Sequence, residues 1–106
     1  MTAKLVVSDA ARADVREILD YLQREAGDRI ALRYSIEFDA AIDRIADLPH
    51  MGSPRTSFGP DMRIMIISPY LLFYEATPDG QLATVLRVLH GSRNITEKLI
   101  RGRAGR

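Results

Sequence analysis

The stretch MRIMIISPYLLFYEATPDGQLATVLRVL, Met62–Leu89, decides the fold. It holds three apolar runs cut by two turn signals. Met62–Ile67 is rich in β-branched and large apolar residues and reads as a strand. Ser68-Pro69 reads as a turn, and Leu71–Ala76 follows as a second strand. Thr77-Pro78-Asp79-Gly80 places proline and Asp-Gly where a tight turn wants them. Leu82–Leu89 is then the third strand. Connections of two to five residues allow only antiparallel neighbours, so the three form a meander.

Strand residues alternate faces. Met62, Ile64 and Ile66 share one face of the first meander strand, and Arg63, Met65 and Ile67 the other. In the last strand Leu86 and Val88 fall together, against Val85, Arg87 and Leu89. In the middle strand Phe73 opposes Leu72 and Tyr74. Both faces are therefore apolar, where a sheet with one wet face would alternate cleanly. Both must be covered.

Upstream lies the cover for one face. Lys4-Leu-Val-Val7 reads as a short strand. Ser8 can cap a helix whose first turn holds Asp9. Ala11, Val15, Ile18, Leu19 and Leu22 recur at helical spacing to about Arg24, and Gly27 suits the stop. Asp28 can cap a second helix with the stripe Ala31, Tyr34, Phe38, Ala41, Ile42, Ile45 and Leu48, ended by Pro49. Helices joined this tightly make an antiparallel hairpin. Pro49 to Asp61 reads as a loop. Downstream, Asn94 can cap a short helix, Ile95–Ile100.

The order is β-α-α-β-β-β-α. That is an α+β domain, with the N-terminal helical hairpin on one face of a small, mainly antiparallel sheet. The second face, with Met65, Ile67, Val85 and Leu89 around Arg63 and Arg87, is expected to be covered by the C-terminal helix folding back or by a partner protein.

The length, 106 residues, fits one domain over 1–106, with a basic tail at 101–106. No apolar run approaches the roughly 18 residues of a membrane span. The first residues lack the pattern of a signal peptide, which points to the cytoplasm. There is no cysteine, which removes disulfides and thiol chemistry. Two histidines, His50 and His90, do not make a histidine-rich metal site, and no cofactor is implied. Of 15 basic residues only Lys4 and Lys98 are lysine; the rest are arginine. Arginine binds carboxylate and phosphate bidentately. Between Arg87 and Arg106 the only acid is Glu97, so this end is suited to an acidic partner or nucleic acid.

Several segments resemble the ParE/RelE superfamily of small bacterial toxins from toxin–antitoxin pairs. They are Asp14-Val-Arg-Glu-Ile-Leu-Asp-Tyr21, Leu48-Pro-His-Met-Gly52, Met62-Arg-Ile64, Leu71-Leu-Phe-Tyr74 and, most specifically, Leu86-Arg-Val-Leu-His-Gly-Ser-Arg93. The resemblance covers nearly the whole chain and implies the same element order.

The superfamily has two activities. The RelE-like branch cleaves mRNA on the ribosome, which needs a base for the 2′-hydroxyl, cations for the phosphate and an acid for the leaving oxygen. That branch draws them from lysines on the first meander strand, an arginine opening the second and a tyrosine on the last helix. Here Arg63 stands alone on the first strand, Leu71 opens the second, and the last helix has no tyrosine. A nuclease would be left with Arg63, Arg87, His90 and Arg93. His90 reads equally as a hydrogen-bonding corner residue, and Tyr34 and Tyr74 as core. The motifs look more like the ParE branch, which implies a toxin that traps DNA gyrase on cut DNA. Arg63, Arg87 and Arg93 would be the target-binding residues. A cognate, ParD-like antitoxin would fold its C-terminal segment across Met65, Ile67, Val85 and Leu89. The alternatives are the ribosome-dependent endoribonuclease and a paralogue that binds antitoxin without toxicity.

Overall fold

The computed structural model describes residues 2–102. Strand β1 is Lys4–Val7, helix α1 Asp9–Ala26, helix α2 Asp28–Asp47, strand β2 Ser53–Pro54, β3 Met62–Ile67, β4 Tyr70–Ala76, β5 Leu82–His90 and helix α3 Glu97–Arg101. One five-stranded sheet runs β1-β5-β4-β3-β2. β1 lies parallel to β5, and every other pair is antiparallel. The expected α+β order is present, with one addition. The Pro49–Asp61 loop contributes the edge strand β2 and a 3₁₀ turn, Thr56–Phe58. Two residues pairing Ile64 and Arg63 are too short to leave a strand pattern in sequence.

Ser8 caps α1 as its side chain predicts. Its Oγ accepts the Ala11 N–H at 3.0 Å and donates to the Leu86 carbonyl at 2.8 Å. Replacing it by alanine removes both bonds. We expect Ser8→Ala to cost about 1–2 kcal/mol. Ser8→Asp, which can accept but not donate, should recover the cap alone. A urea midpoint for Ser8→Ala equal to wild type would sink this account.

The hairpin packs on one sheet face as expected. Phe38, Ala41 and Ile45 of α2 and Ala11 of α1 are buried against Leu72, Tyr74, Val85 and Val88. Val15, Ile18, Leu19 and Leu22 of α1 pack on the same cluster. Two helix ends differ from their sequence reading. Gly27, at φ 94, serves as both the stop of α1 and the N-cap of α2; Asp28 makes no cap bond and instead accepts from Gln23 Nε2 at 2.9 Å. The last helix is capped by Thr96, whose hydroxyl accepts the Leu99 N–H at 3.1 Å, rather than by Asn94. Arg101 and Gly102, expected in the tail, belong to α3 and its cap; residues 103–106 lie outside the described residues.

The face that α3 covers by folding back is the one carrying Met62, Ile64 and Phe73; the face of Met65, Ile67 and Val85, expected to be the second one, lies under the hairpin instead. Met62, Ile64, Phe73, Leu89 and Ile100 form a buried cluster, with Phe58, Leu71, Leu86, Ile95 and Leu99 around it. Arg101 fastens the helix, pairing with Glu75 and donating to the Phe58 carbonyl at 3.2 Å.

Strict alternation fails in β5. Phe73 pairs with Arg87 but Tyr74 pairs with Val85, so Leu86 is an extra residue, a β-bulge. The bulge moves Val85 and Val88 together under the hairpin, and Leu86 and Leu89 together under α3. The expectation that Val85 and Leu89 share a face is therefore corrected.

Candidate functional site

The nominated arginines fall into different roles. Arg87 sits on β5 beside the bulge. Its Nε and Nη2 donate to Asp14 Oδ2 and Oδ1 at 2.7 and 2.8 Å, a bidentate pair across α1 and β5. Its Nη1 donates to the Leu99 carbonyl of α3 at 2.9 Å. Both side chains are nearly buried, 12% and 11% exposed. Asp14 holds the guanidinium above its ordinary pKa, against the opposing effect of burial. Asp14 Oδ2 also accepts the Val88 N–H at 2.9 Å. Ser8 and Asp14 thus satisfy the Leu86 carbonyl and the Val88 N–H at the bulge.

Arg63, on β3, is engaged with the Leu48–Gly52 loop. Its Nη1 donates to the carbonyls of His50 and Gly52, each at 2.7 Å. The loop is also tied to Tyr74, whose hydroxyl accepts the Gly52 N–H at 2.9 Å and donates to the Pro49 carbonyl at 2.8 Å. Burial raises the Tyr74 pKa, opposed by the Gly52 N–H and the Arg63 charge. Three of the quoted motifs meet here in one internal strap.

His90 ends β5 opposite Tyr70. Its ring meets Tyr70 edge-on at 5.5 Å, and Tyr70 in turn meets Tyr34 and Phe38 at 5.6 and 5.8 Å. His90 Nδ1 accepts the Ser92 N–H at 3.0 Å, so it turns the corner into the loop. Arg63 faces Tyr74 and His90 faces Tyr70. Four residues of β4 separate those positions, about 14 Å at about 3.4 Å per residue. Arg87 lies on the opposite sheet face from His90. The four residues of the nuclease set do not converge.

Arg93 is different. It is exposed, and among the described residues its guanidinium makes no hydrogen bond or ion pair. It stands where two open clefts meet. One, of about 1130 Å³, lies between α1 and α3, with Asp9 and Glu17 on one wall and Arg93 and Lys98 on the other. The second, of about 580 Å³, lies at the end of the hairpin, among Tyr21, Tyr34, Tyr70, His90 and Arg33. An unpaired arginine between clefts can take a carboxylate or a phosphate in bidentate geometry. Tyr21, which lies off the apolar stripe of α1, lines the second cleft and is 53% exposed.

Met65, Ile67, Val85 and Leu89 do not form one open surface. Met65, Ile67 and Val85 pack with the hairpin cluster, and Leu89 lies under α3. The exposed apolar residue nearest that idea is Ile66, on the α3 face opposite Leu71 and 66% exposed. Among the described residues no three His, Asp or Glu side chains group as metal ligands, and no helix is long and apolar enough to cross a membrane.

A helical hairpin on one side of this sheet, with β1 parallel to the last strand, defines the RelE/ParE toxin fold. A chromosomal ParDE toxin–antitoxin system from P. aeruginosa superposes with a TM-score of 0.69 at 20% identity, over 84% of this chain and 96% of the other. A free E. coli RelE mutant superposes at 0.64 and 15% identity, over 97% and 98%. In sequence, the toxin ParE1 of Mycobacterium tuberculosis is 32% identical over 99 residues, 93% of this chain and all of that protein. A family profile described as "ParE toxin of type II toxin-antitoxin system, parDE" matches residues 5–95. The chain belongs to this family of type II toxin–antitoxin toxins.

Proposed function

We propose that this toxin arrests growth by holding DNA gyrase on cleaved DNA, and that Arg93 is its principal target-binding side chain. The observation that carries this is the sorting of the nominated residues. Arg63 directs Nη1 to the loop carbonyls, Arg87 spends all three of its nitrogens inside the fold, and His90 spends Nδ1 on its own turn. Arg93 alone of the four remains exposed and unpaired among the described residues. Arg63, Arg87, His90 and Arg93, the set RNA cleavage would draw on for base, phosphate clamp and acid, do not gather around one substrate atom. A contact toxin needs only a recognition surface.

Neutralisation follows from the same reading. A cognate antitoxin, ParD-like and encoded beside the toxin, folds a disordered C-terminal segment onto the α3 side of the sheet. Ile66 and the half-buried Leu71 provide the apolar strip there.

The test is induction of this chain alone in a bacterium that carries gyrase, with DNA and protein synthesis labelled separately. We expect DNA synthesis to fall first, with filamentation and a DNA-damage response. Arg93→Glu should weaken the arrest by about tenfold or more, the scale of one lost charge-assisted pair, while leaving the urea midpoint unchanged. Early loss of protein synthesis would overturn the gyrase reading in favour of the ribosomal nuclease. Continued growth would mark a non-toxic antitoxin-binding paralogue.

A further inference from the structure

The outer face of α2 carries an unpartnered ridge. Leu32 and Ile36 are 62% and 59% exposed, though each could have faced the hairpin core. At 3.6 residues per turn, or about 100° per residue, Arg29, Leu32, Ile36, Asp39 and Asp43 fall in a stripe roughly 80° wide. All five are exposed. Arg29 and Asp39 form no ion pair among the described residues, whereas neighbouring Arg33 pairs with Glu37 at 3.9 Å along the helix flank.

The ridge reads basic, apolar, apolar, acidic from its N-terminal to its C-terminal end. That sequence is complementary to itself reversed. Place a two-fold axis midway between Leu32 and Ile36 and run a second α2 antiparallel across it. Leu32 then meets Ile36 of the partner subunit, and Arg29 meets Asp39 of the partner subunit. The two-fold repeats both contacts, as an isologous interface requires. The helix dipoles oppose each other, which also favours the antiparallel arrangement.

We propose that α2 is a homodimerisation surface, and that its occupant is a second copy of this chain in antiparallel register. Charge complementarity selects that occupant. A partner presenting only apolar residues would leave Arg29 and Asp39 unused, and one of a single charge sign would oppose one of them. Two crossed helices bury less than the roughly 1,200 Å² of a stable complex. The dimer is therefore a weak one, formed at high local concentration. The surface lies on the side of α2 away from the sheet, so both copies keep their α3 faces open.

The test is sedimentation equilibrium of the full chain over a series from about 1 μM to about 1 mM, the range of weak complexes. The mass should rise from 11.9 kDa towards twice that value. Leu32→Glu should hold the chain at monomer mass. Arg29→Asp and Asp39→Arg should each weaken the dimer at least severalfold, and the double swap Arg29→Asp/Asp39→Arg should restore it. All of these positions are exposed, so circular dichroism should report an unchanged fold. Monomer mass for wild type throughout, or a dimer indifferent to Leu32→Glu, would overturn the proposal. So would a dimer that Leu32→Glu abolishes but the double swap fails to rescue, since the register would then be wrong.

Discussion

Asp14→Ala is expected to cost about 3–5 kcal/mol of folding stability, the range for removing one partner of a buried ion pair. Small domains hold only about 5–15 kcal/mol in all. The loss has three parts. Arg87 is left charged and nearly buried without its carboxylate. The Val88 N–H beside the bulge loses its acceptor. The guanidinium, no longer oriented, holds the Leu99 carbonyl poorly, so α3 loosens. Asp14→Asn should cost less, because an amide oxygen still accepts. Asp14→Ala/Arg87→Met should be more stable than Asp14→Ala, because no charge is stranded. Urea midpoints of the four proteins decide the matter. A loss below about 1 kcal/mol for Asp14→Ala, the range of exposed pairs, would mean that the pair behaves as a surface one.

This bears on how functional mutants of this toxin are read. Arg87→Ala will reduce growth arrest, but through the same lost weld as Asp14→Ala. A loss of activity there says nothing about contact with a target. Arg93→Glu is the informative variant, because Arg93 supports no other element. The pair of mutants separates folding from recognition: Arg87→Ala should lower the urea midpoint and activity together, Arg93→Glu activity alone.

Local chemistry was legible in the sequence. The Ser8 cap, the helical stripes as far as Ile45 and the Thr77–Gly80 turn depend on neighbours a few residues apart, and each stands where its residue types place it; Leu48, set at the end of the α2 stripe, lies past the helix and is exposed. The α3 end was legible only in part. Asn94 and Thr96 are both good caps, and tertiary packing of Ile100 chooses between them by setting where the helix must start. The bulge was hidden, because an extra residue in an apolar run changes no composition. One slipped position reverses every face assignment beyond it, so strict alternation puts Leu89 with Val85 while the bulge separates them. The site suffered most. Arg63, Arg87 and Arg93 are the same residue type in sequence. What separates them is Asp14, 73 residues from Arg87, and the carbonyls of His50 and Gly52. No spacing rule links those positions.

Gly52→Ala is the second large effect, and it tests the strap on the other side of the fold. A Cβ at Gly52 would lie 2.5 Å from the Tyr74 hydroxyl, 2.7 Å from its Cε1 and 2.8 Å from the Ile64 carbonyl. Neither neighbour can yield cheaply. Tyr74 is fully buried, and the Ile64 carbonyl is backbone within the sheet. Relief requires the loop to lift. That breaks the Tyr74 bonds to Gly52 and Pro49, and the Arg63 bonds to His50 and Gly52. Overpacking costs roughly 1–3 kcal/mol and stranded polar groups a similar amount each, so about 3 kcal/mol or more is expected. Tyr74→Phe removes the hydroxyl without a clash and should cost about 1–3 kcal/mol. The two changes share one set of bonds and cannot add. Gly52→Ala/Tyr74→Phe should therefore lie near Gly52→Ala alone, since the hydroxyl is absent and only the ring edge and the Ile64 carbonyl still collide. Full additivity would show that Gly52 and Tyr74 act separately, and that the Leu48–Gly52 motif is held by something other than this strap.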